Sequence, residues 1–477
     1  MSLFYVALVM INYLYKNMSI LLYNKVDQNQ ITRRIDMSTT NIIAKITEIF
    51  DTNIEFEENF FKTEIIRGIE HTIIKGKLTY IPSSCEHCGE ENEAYSIVKN
   101  GNQAVNILIG QFNSKPVILR LIKQRFYCKH CKRTFMAQTS LVEKNCSIST
   151  KVKSCINIEL SENVSHKHIS ATYSVSMATV QRVLRSNDFK TNKHWLPEVL
   201  GIDEFKSLKS VDANMSVIIC DVQTGDIIDI IPDRRKRYLR EYLERFSKEA
   251  RSMVKYITTD MYQTYIDLGK ELFPNAQIVI DKFHIVQLFT RSMQKLRINV
   301  MNDFNTRSKK YKKLKRYWKV LLKKEFNLNG VEFYKYIHYS KLTNTNEILI
   351  DLLKISDRLA AGHYLYQEFL YIIHSSDVKG FENFLDKYLK NDTVPSEFKT
   401  AINTLNEYRQ EIINALVTGY TNAVVEGNNN LIKSIKKTAF GFRSFRNLRL
   451  RVLLRKRVCI KKKSSIEDTE CIKDAAA

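Results

Sequence analysis

The sequence predicts a multidomain α/β protein, in which a mixed sheet flanked by helices follows a cysteine-rich segment and is interrupted by a long helical stretch. Three observations lead to this fold class. Apolar runs of strand type alternate with helix-period runs between residues 196 and 287, and two C-x-x-C pairs precede them. Residues 288–420 have helical periodicity and no convincing strand. A chain of 477 residues is long enough for roughly two to four domains.

Residues 1–40 are predicted to be an extension that the fold does not need, and Met1, Met18 and Met37 are all open as the start of translation. The apolar run in "MSLFYVALVMINYLYK" is too short for a membrane span and is broken at Asn12. It also lacks the positive n-region and the small-residue cleavage site of an export signal. We therefore expect a cytoplasmic protein with no membrane segment.

Two C-x-x-C pairs lie in the segment 41–145, and their members are Cys85, Cys88, Cys128 and Cys131. Four thiolates form a closed tetrahedral Zn²⁺ site of the structural type. The 39 residues between the pairs exceed the usual spacing, so they must form a hairpin or loop that brings the pairs together. Within this insert, "PVILRLIKQRFYC" alternates as a half-buried strand does. A thioredoxin-like redox role is the alternative, but it would need only one pair.

The segment 146–190 has the pattern of a helix-turn-helix. In "HISATYSVSMATVQRVLRS", Ser176 is a natural N-cap for a second helix, whose inward stripe is Val180, Val183 and Leu184. We expect four side chains of this helix to be exposed and to contact DNA: Thr179, Gln181, Arg182 and Arg185. A plain helical hairpin in a linker is the alternative.

The segment 196–287 is predicted to have the order β-β-β-α-β-α-β. The opening meander is "VLGIDEF", "MSVIICDV" and "DIIDIIPD". The helix "RYLREYLERFSKEAR", the strand "VKYITTD", the helix "TYIDLGKELF" and the strand "AQIVIDKFHIV" follow. This alternation implies a mixed sheet with helices on its faces.

Two carboxylates are expected to end strands of this sheet, Asp203 the first strand and Asp260 the fourth. If the strands are neighbours, two like charges at one edge cannot both stay ionised cheaply without a cation between them. Mg²⁺ (or Mn²⁺) ions bind carboxylate oxygens and keep positions open for water and phosphate. Glu426 is the candidate third ligand, and Glu204 points to the opposite face from Asp203 by strand alternation. Each acid also has a purely structural explanation when it is taken alone. Asp203 and Asp260 would lie where strands meet solvent, and Glu426 would lie in the first turn of a helix, where acids are favoured by the helix dipole.

The helix predicted from residue 421 carries a stripe that suits a phosphate backbone. Glu426, Asn430, Lys433 and Lys437 fall on one face by helical periodicity. The whole chain has 74 Lys and Arg against 51 Asp and Glu, a net charge of +23, which favours a nucleic-acid partner. The basic end "FGFRSFRNLRLRVLLRKR" suits backbone contact, or else it is an amphipathic helix with a solvated basic face.

Four stretches together resemble a known family. "LGIDEFKS", "ITTDMY", "NAQIVIDKFHIVQL" and "VVEGNNNLIKSIKKTAFGFRSF" are similar to motifs of the DDE transposases of bacterial insertion sequences, of the ISL-three type. The motifs occur in the family's order, over about residues 50–458. The resemblance implies a zinc-ribbon-like module and then an RNase H-like core, formed by residues 196–287 and 421–458 and split by an all-α insertion at 288–420.

The resemblance also implies roles for individual residues. Asp203, Asp260 and Glu426 would be the triad that binds catalytic Mg²⁺ or Mn²⁺, with Zn²⁺ at the cysteines. Asp281 and His284 match the family's Asp-x-x-His motif. His284 is expected to orient DNA near the cleavage point, with a strand-end hydrogen bond as the alternative.

The predicted function is DNA transposition by two-metal phosphoryl transfer. The partners are double-stranded DNA, as terminal inverted repeats and as target, and a second copy of the chain, because such enzymes act as dimers or larger assemblies on paired ends. Two alternatives stay open: a DNA-binding regulator with an inactive core, and a metal-dependent nuclease without strand transfer.

Overall fold

The computed structural model describes residues 47–66 and 68–456. They form two compact units that divide in the sequence between Lys153 and Ser154. The predicted extension 1–40, and with it the choice of start codon, lies outside the described residues. No helix in these ranges is long and apolar enough to cross a lipid bilayer.

The first unit is built on a five-stranded mixed sheet. Its strands are β1 (Ile54–Ile66), β2 (Ile69–Leu78), β3 (Ile97–Phe112), β4 (Lys115–Cys128) and β5 (Thr134–Met136). Their order is β1-β2-β4-β3, with β5 paired to β4, and only the pairing of β2 with β4 is parallel.

β3 and β4 form the hairpin that is expected between the two cysteine pairs. They are joined by Asn113 and Ser114, whose φ angles of 49° and 63° are those that a two-residue type I′ turn requires. At the open end of the hairpin, Ile97 pairs with Cys128, so the second cysteine pair returns to the beginning of β3. The predicted strand in "PVILRLIKQRFYC" is confirmed as β4.

Three helices precede the second sheet, and they are α1 (Thr150–Ser161), α2 (His166–Thr172) and α3 (Met177–Ser186). Ser176 caps α3 as predicted, because its hydroxyl accepts a hydrogen bond from the N–H of Thr179 at 3.1 Å. Val180, Val183 and Leu184 are buried, which confirms the predicted inward stripe.

The second unit contains a five-stranded mixed sheet of order β10-β9-β6-β7-β8. Its strands are β6 (Val199–Lys206), β7 (Met215–Asp221), β8 (Ile227–Ile231), β9 (Tyr256–Thr259) and β10 (Gln277–Ile280). β6, β7 and β8 form an antiparallel meander, whereas β9 pairs parallel to β6 and β10 parallel to β9. The five strands that were predicted between residues 196 and 287 are confirmed in their order along the chain, and their order within the sheet was not predicted.

Helices follow β8 between the strands and beyond them. They are α4 (Lys236–Leu243), α5 (Lys248–Met253), α6 (Gln263–Leu272), α7 (Lys282–Asn302), α8 (Lys309–Arg316), α9 (Trp318–Leu322), α10 (Thr345–Leu353), α11 (Asp357–Ser375), α12 (Val378–Tyr388), α13 (Ser396–Glu407), α14 (Arg409–Thr418) and α15 (Ala423–Thr438). A last helix, α16, is described over residues 445–456.

Two predicted elements differ from the structure. The single helix predicted in "RYLREYLERFSKEAR" is divided into α4 and α5, because Ser247 caps a new helix and accepts from the N–H of Ala250 at 3.2 Å. The strand predicted in "AQIVIDKFHIV" ends at Ile280, where Asp281 caps α7. Residues 282–287 are therefore helical, and α7 continues through the predicted start of the insertion at 288.

The sheet of the second unit is covered on both faces. On one face, Leu200 and Ile202 of β6 belong to a cluster that extends through α4–α6 into the helices α7–α14. On the other face, Val199 and Phe205 pack with α15 and α16. This alternation along β6 is the strand period of two, and it places the even and odd residues of β6 in different cores.

Candidate active site

Asp203 lies within β6 rather than at its end, which corrects the prediction. The strand continues for three more residues, and Asp203 itself pairs with Ile218 of β7. Because Gly201 pairs with Thr258 in the parallel neighbour β9, Asp203 is level with Asp260 two residues further along. Side chains at the same level on adjacent strands point to the same face, so these two carboxylates are neighbours.

A third aspartate continues the row. Ile280 of β10 pairs with Thr259 of β9, and the N–H of Asp281 donates to the carbonyl of Thr259 at 3.0 Å. Asp281 is therefore level with Asp260 on the side away from Asp203. Asp203, Asp260 and Asp281 form a row across three adjacent parallel strands.

Helix α15, which carries Glu426, lies against the same face of the sheet. A Cβ atom built on Gly201 would be 2.6 Å from Cγ2 of Val425, so the helix approaches the strand at a distance that only glycine permits. Gly201 and Asp203 are two residues apart and share a face. The first turn of α15 is thereby held over the aspartate row.

One turn beyond Glu426, the amide of Asn429 contacts Asp203 directly. Its Nδ2 donates to Oδ2 of Asp203 at 2.8 Å and to the carbonyl of Glu204 at 3.2 Å. The N–H of Glu204 donates to the other oxygen of Asp203 at 2.7 Å. Sequence reasoning missed Asn429, although its spacing of three from Glu426 places it on a neighbouring stripe of the helix.

Glu426 itself lies beside the Asp-x-x-His motif. Ligand atoms of Asp281, His284 and Glu426 all lie within 4.8 Å of one another. His284 is in the first turn of α7, which begins directly after β10 ends at Ile280.

The electrostatics of the row favour a cation. Burial, which is the largest cause, and the neighbouring Asp260 together raise the pKa of Asp203 to about 6. Burial also raises the pKa of Asp260. Oδ1 of Asp260 is buried and has no hydrogen-bond partner among the described residues. A divalent cation would supply the missing partner and stabilise the ionised carboxylates, so the donor set fits Mg²⁺ or Mn²⁺.

Glu204 belongs to the other face of the sheet, as predicted. It accepts a hydrogen bond from Nη1 of Arg234 at 2.5 Å, and Arg234 in turn lies over the ring of Tyr262. Glu204 is therefore neutralised by an ion pair of its own.

Comparisons with known proteins identify the family of the chain. A family described as transposase, of the ISL-three DDE type, matches residues 200–452, which is more than half of the chain. The chain belongs to the ISL-three family of insertion-sequence transposases.

Individual relatives of this transposase chain cover it to different extents. It is 21% identical to the transposase of insertion sequence IS1001 from Bordetella parapertussis over 69% of its length and 78% of the relative's. It is 23% identical to the transposase of IS1557 from Mycobacterium tuberculosis over 56% of its length and 62% of the relative's. A protein from Lactococcus lactis named as an ATP-dependent protease is 40% identical, but over only 24% of this chain and 36% of that protein.

The stripe predicted on α15 of this transposase chain is exposed beyond Glu426. Asn430, Lys433 and Lys437 all face solvent, and Nζ of Lys433 donates to Oδ1 of Asn430 at 3.4 Å. The buried side of the same helix is formed by other residues, such as Asn429. DNA binding by the stripe stays a prediction.

The exposure predicted for α3 is wrong at Thr179. This residue is only 8% exposed, because its hydroxyl takes part in the cap with Ser176 and accepts from Nη2 of Arg182 at 3.0 Å. Gln181 is half-buried, and Arg182 and Arg185 are exposed. The Nε of Arg185 donates to Asn447 at 3.0 Å, so part of its donor capacity is used inside the chain.

The basic C-terminal segment forms a helix with a buried apolar side, and it turns three arginines inward. Arg449 forms an ion pair with the buried Asp229 at 2.5 Å. Arg451 donates to the backbone carbonyl of Glu162 at 2.8 Å, and Arg455 donates to the side-chain carboxylate of Glu162 at 2.5 Å. These arginines fasten α16 to the end of α1 and to the sheet instead of leaving the whole positive face to solvent.

The four predicted zinc ligands are brought together in the first unit. All four Sγ atoms lie within 4.8 Å of one another, with Cys85 and Cys131 3.7 Å apart and Cys88 and Cys128 3.8 Å apart. A tetrahedron with zinc–sulfur bonds of about 2.3 Å has an edge of about 3.8 Å. None of the four is in a disulfide. The cluster therefore fits Zn²⁺.

The two cysteine turns have the same backbone form. Gly89 and Lys132 each follow a second cysteine and have positive φ, 75° and 59°. The N–H of each donates at 2.9 Å to the carbonyl of the first cysteine of its pair. Both turns therefore present their thiolates to one point in the same way.

Proposed function

We propose that this chain is a DNA transposase that cleaves the ends of an insertion sequence and joins them to target DNA. Asp203, Asp260 and Glu426 are its metal-binding triad. The observation that carries the proposal is that Asp203 and Asp260 lie level on adjacent parallel strands, with α15 packed over the same face. An antiparallel meander extended by two parallel strands supports an RNase H-like core.

Mg²⁺ or Mn²⁺ held by these carboxylates would supply stabilisation of the attacking and leaving oxygens in an in-line phosphoryl displacement. The chain's own residues orient the site, because Asn429 fixes the carboxylate of Asp203 through a hydrogen bond. Water cleaves the phosphodiester bond at the element end and releases a 3′-hydroxyl. That hydroxyl then attacks a target phosphodiester, so no side chain acts as a nucleophile.

The remaining basic residues hold DNA in this proposal. Lys433 and Lys437 on α15 contact phosphates beside the site, together with Asn430. α2 and α3 form a helix-turn-helix in which Gln181, Arg182 and Arg185 are the contact residues, with Thr179 limited to capping. Zn²⁺ at the four cysteines is structural, the bound DNA is double-stranded, and two or more copies act on paired ends.

The test is cleavage and joining of labelled DNA that carries the element's own terminal repeats, with Mg²⁺. Wild type is compared with Asp203→Asn, Asp260→Asn and Glu426→Gln, each nearly isosteric. We expect each variant to bind the DNA while its cleavage rate falls roughly 100- to 1000-fold, as when a charge-stabilising group is lost from a transition state. Asp392→Asn, at a fully exposed aspartate, is the matched control and should cut and join normally.

The outcomes separate the other functions. Cleavage without joining would make the chain a metal-dependent nuclease. Binding of the ends with no cleavage by wild type, and no effect of the three substitutions, would favour a DNA-binding regulator and refute the triad.

A further inference from the structure

The row of aspartates has a second end that the triad does not use. Asp281 lies beside Asp260 on the side away from Asp203, and His284 follows it by one helical turn. Together with Glu426 they bring two carboxylates and an imidazole within 4.8 Å of one another. Asp281 and His284 come from the beginning of α7, directly after β10, and Glu426 comes from the beginning of α15.

The spacing of these ligand atoms suits one cation. Ligands bound at about 2.0–2.2 Å to the same ion lie no more than about 4.4 Å apart, so small side-chain movements close the site. Rings of Phe283 and His284 meet edge to face with centroids 5.5 Å apart, which restricts the imidazole.

Asp281 gives an independent indication of a ligand. It is only 3% exposed, and the hydrogen bond described for its carboxylate, from the N–H of Phe283, is long at 3.5 Å. Burial of a carboxylate with one long hydrogen bond is costly, and a cation nearby would offset that cost beyond what the cap of α7 supplies. The carboxylate of Asp281 belongs to the same group as His284 and Glu426, so a cation bound among these three side chains would stabilise it.

We propose that Asp281, His284 and Glu426 form a divalent-cation subsite with one nitrogen and two oxygen ligands, next to the subsite of Asp203 and Asp260. An imidazole ligand favours transition metals, whereas Mg²⁺ prefers oxygen ligands alone. This subsite therefore binds Mn²⁺ more tightly than Mg²⁺. A role of this subsite in catalysis rests on the proposed function, whereas binding of the cation does not.

The test is Mn²⁺ binding to the full-length, zinc-loaded protein without DNA. Pulsed electron paramagnetic resonance detects the coupling of Mn²⁺ to a directly bound ¹⁴N nucleus. We expect this coupling in wild type and in His194→Gln, a control at an exposed histidine of the same unit. We expect it to be absent in His284→Gln. Mn²⁺ that binds without nitrogen coupling, coupling that persists in His284→Gln, or no Mn²⁺ binding at all would overturn the proposal.

A second variant covers the case in which His284→Gln does not fold. Glu426→Gln keeps the imidazole and removes one charged ligand, so Mn²⁺ affinity should fall about 10- to 100-fold. Unchanged affinity would contradict the subsite. Mg²⁺ competition completes the set, because Mg²⁺ should displace Mn²⁺ less readily from wild type than from His284→Gln.

The DNA assay and the spectroscopic assay can refute the proposed function and the subsite independently of each other. If the triad variants abolish cleavage but wild type has no nitrogen coupling, the proposed function stands and the subsite is refuted. If the coupling is present and the protein neither cuts nor joins DNA, the subsite stands and the proposed function is refuted.

Discussion

At the scale of single residues, Asn429 is the side chain that most directly orders the aspartate row. Its Nδ2 bonds Asp203 and the backbone beside it, while its Oδ1 is buried without a partner among the described atoms. An amide held in this way fixes the carboxylate without adding charge. Partners of metal ligands of this kind tune metal affinity although they do not touch the ion.

Replacing Asn429 by alanine should weaken cation binding rather than unfold the protein. We expect Asn429→Ala to lower Mn²⁺ affinity about 10- to 100-fold, because Asp203 loses the donor that orients it. Isothermal titration with Mn²⁺ measures the change. Asn403→Ala, at an exposed asparagine within α13, should leave the affinity as in wild type. An affinity unchanged in Asn429→Ala would remove this positioning role.

Residue identity alone could not predict which polar side chains are buried. Thr179 and Arg182 are both of a type that contacts DNA, but the hydroxyl of Thr179 is taken by the helix cap. Asp203 looks like the end of an apolar run, yet its strand continues because β7 pairs with it to Lys206. The burial of Thr179 and the continuation of the strand past Asp203 both depend on hydrogen bonds, which the local hydrophobic periodicity of the sequence does not reveal.

At the scale of secondary structure, the close packing of α15 on β6 sets the position of Glu426. Val425 of the helix fits into the space above Gly201, and a Cβ there would also be 2.9 Å from Cγ2 of Val222. Space for a methyl group is absent on both sides. The glycine is therefore required by packing, since its backbone has no unusual φ.

We expect Gly201→Ala to push α15 away from the sheet. Overpacking of this size costs about 1–3 kcal/mol in the free energy of unfolding, and the shift of Glu426 should lower Mn²⁺ affinity and DNA cleavage together. Chemical denaturation and the cleavage assay measure the two effects.

Gly427→Ala is the matched control for stability. Gly427 is exposed in the same helix, and among the described residues no atom beyond its chain neighbours and the backbone of its own helix lies within 4 Å of the position that an alanine methyl group would take. Alanine should therefore stabilise the helix by about 0.5–1 kcal/mol. A Gly201→Ala variant as stable as wild type would contradict the packing explanation.

At the scale of the whole molecule, the chain combines a smaller unit, which has a five-stranded sheet and a four-cysteine cluster, with a larger α/β unit. The first unit places its four thiolates at tetrahedral distances, on two turns beside the open end of the β3–β4 hairpin. Structural zinc sites contribute on the order of 10 kcal/mol to folding in small domains. The net charge of +23 is a property of the entire sequence and bears on partners rather than on fold.

We expect Cys128→Ser to remove bound zinc and to unfold the first unit at a lower temperature than the second. Zinc content by atomic absorption and calorimetry of the full chain measure both effects. Cys146→Ser, at an exposed cysteine outside the cluster, should keep its zinc and its unfolding profile. Full zinc content in Cys128→Ser would exclude this cysteine as a ligand.

The sequence by itself determined the order of the strands, the cysteine cluster, the cap of α3 and the family, because each depends on local periodicity or on motifs with fixed spacing. The tertiary structure decided which side chains meet. Parallel register brings Asp281 into the row with Asp203 and Asp260, and the packing of α15 brings Asn429 to Asp203 and Glu426 to His284. It also turned Arg449 and Arg451 inward. These contacts join residues far apart in the chain, and their geometry depends on how elements pack, which no local pattern encodes.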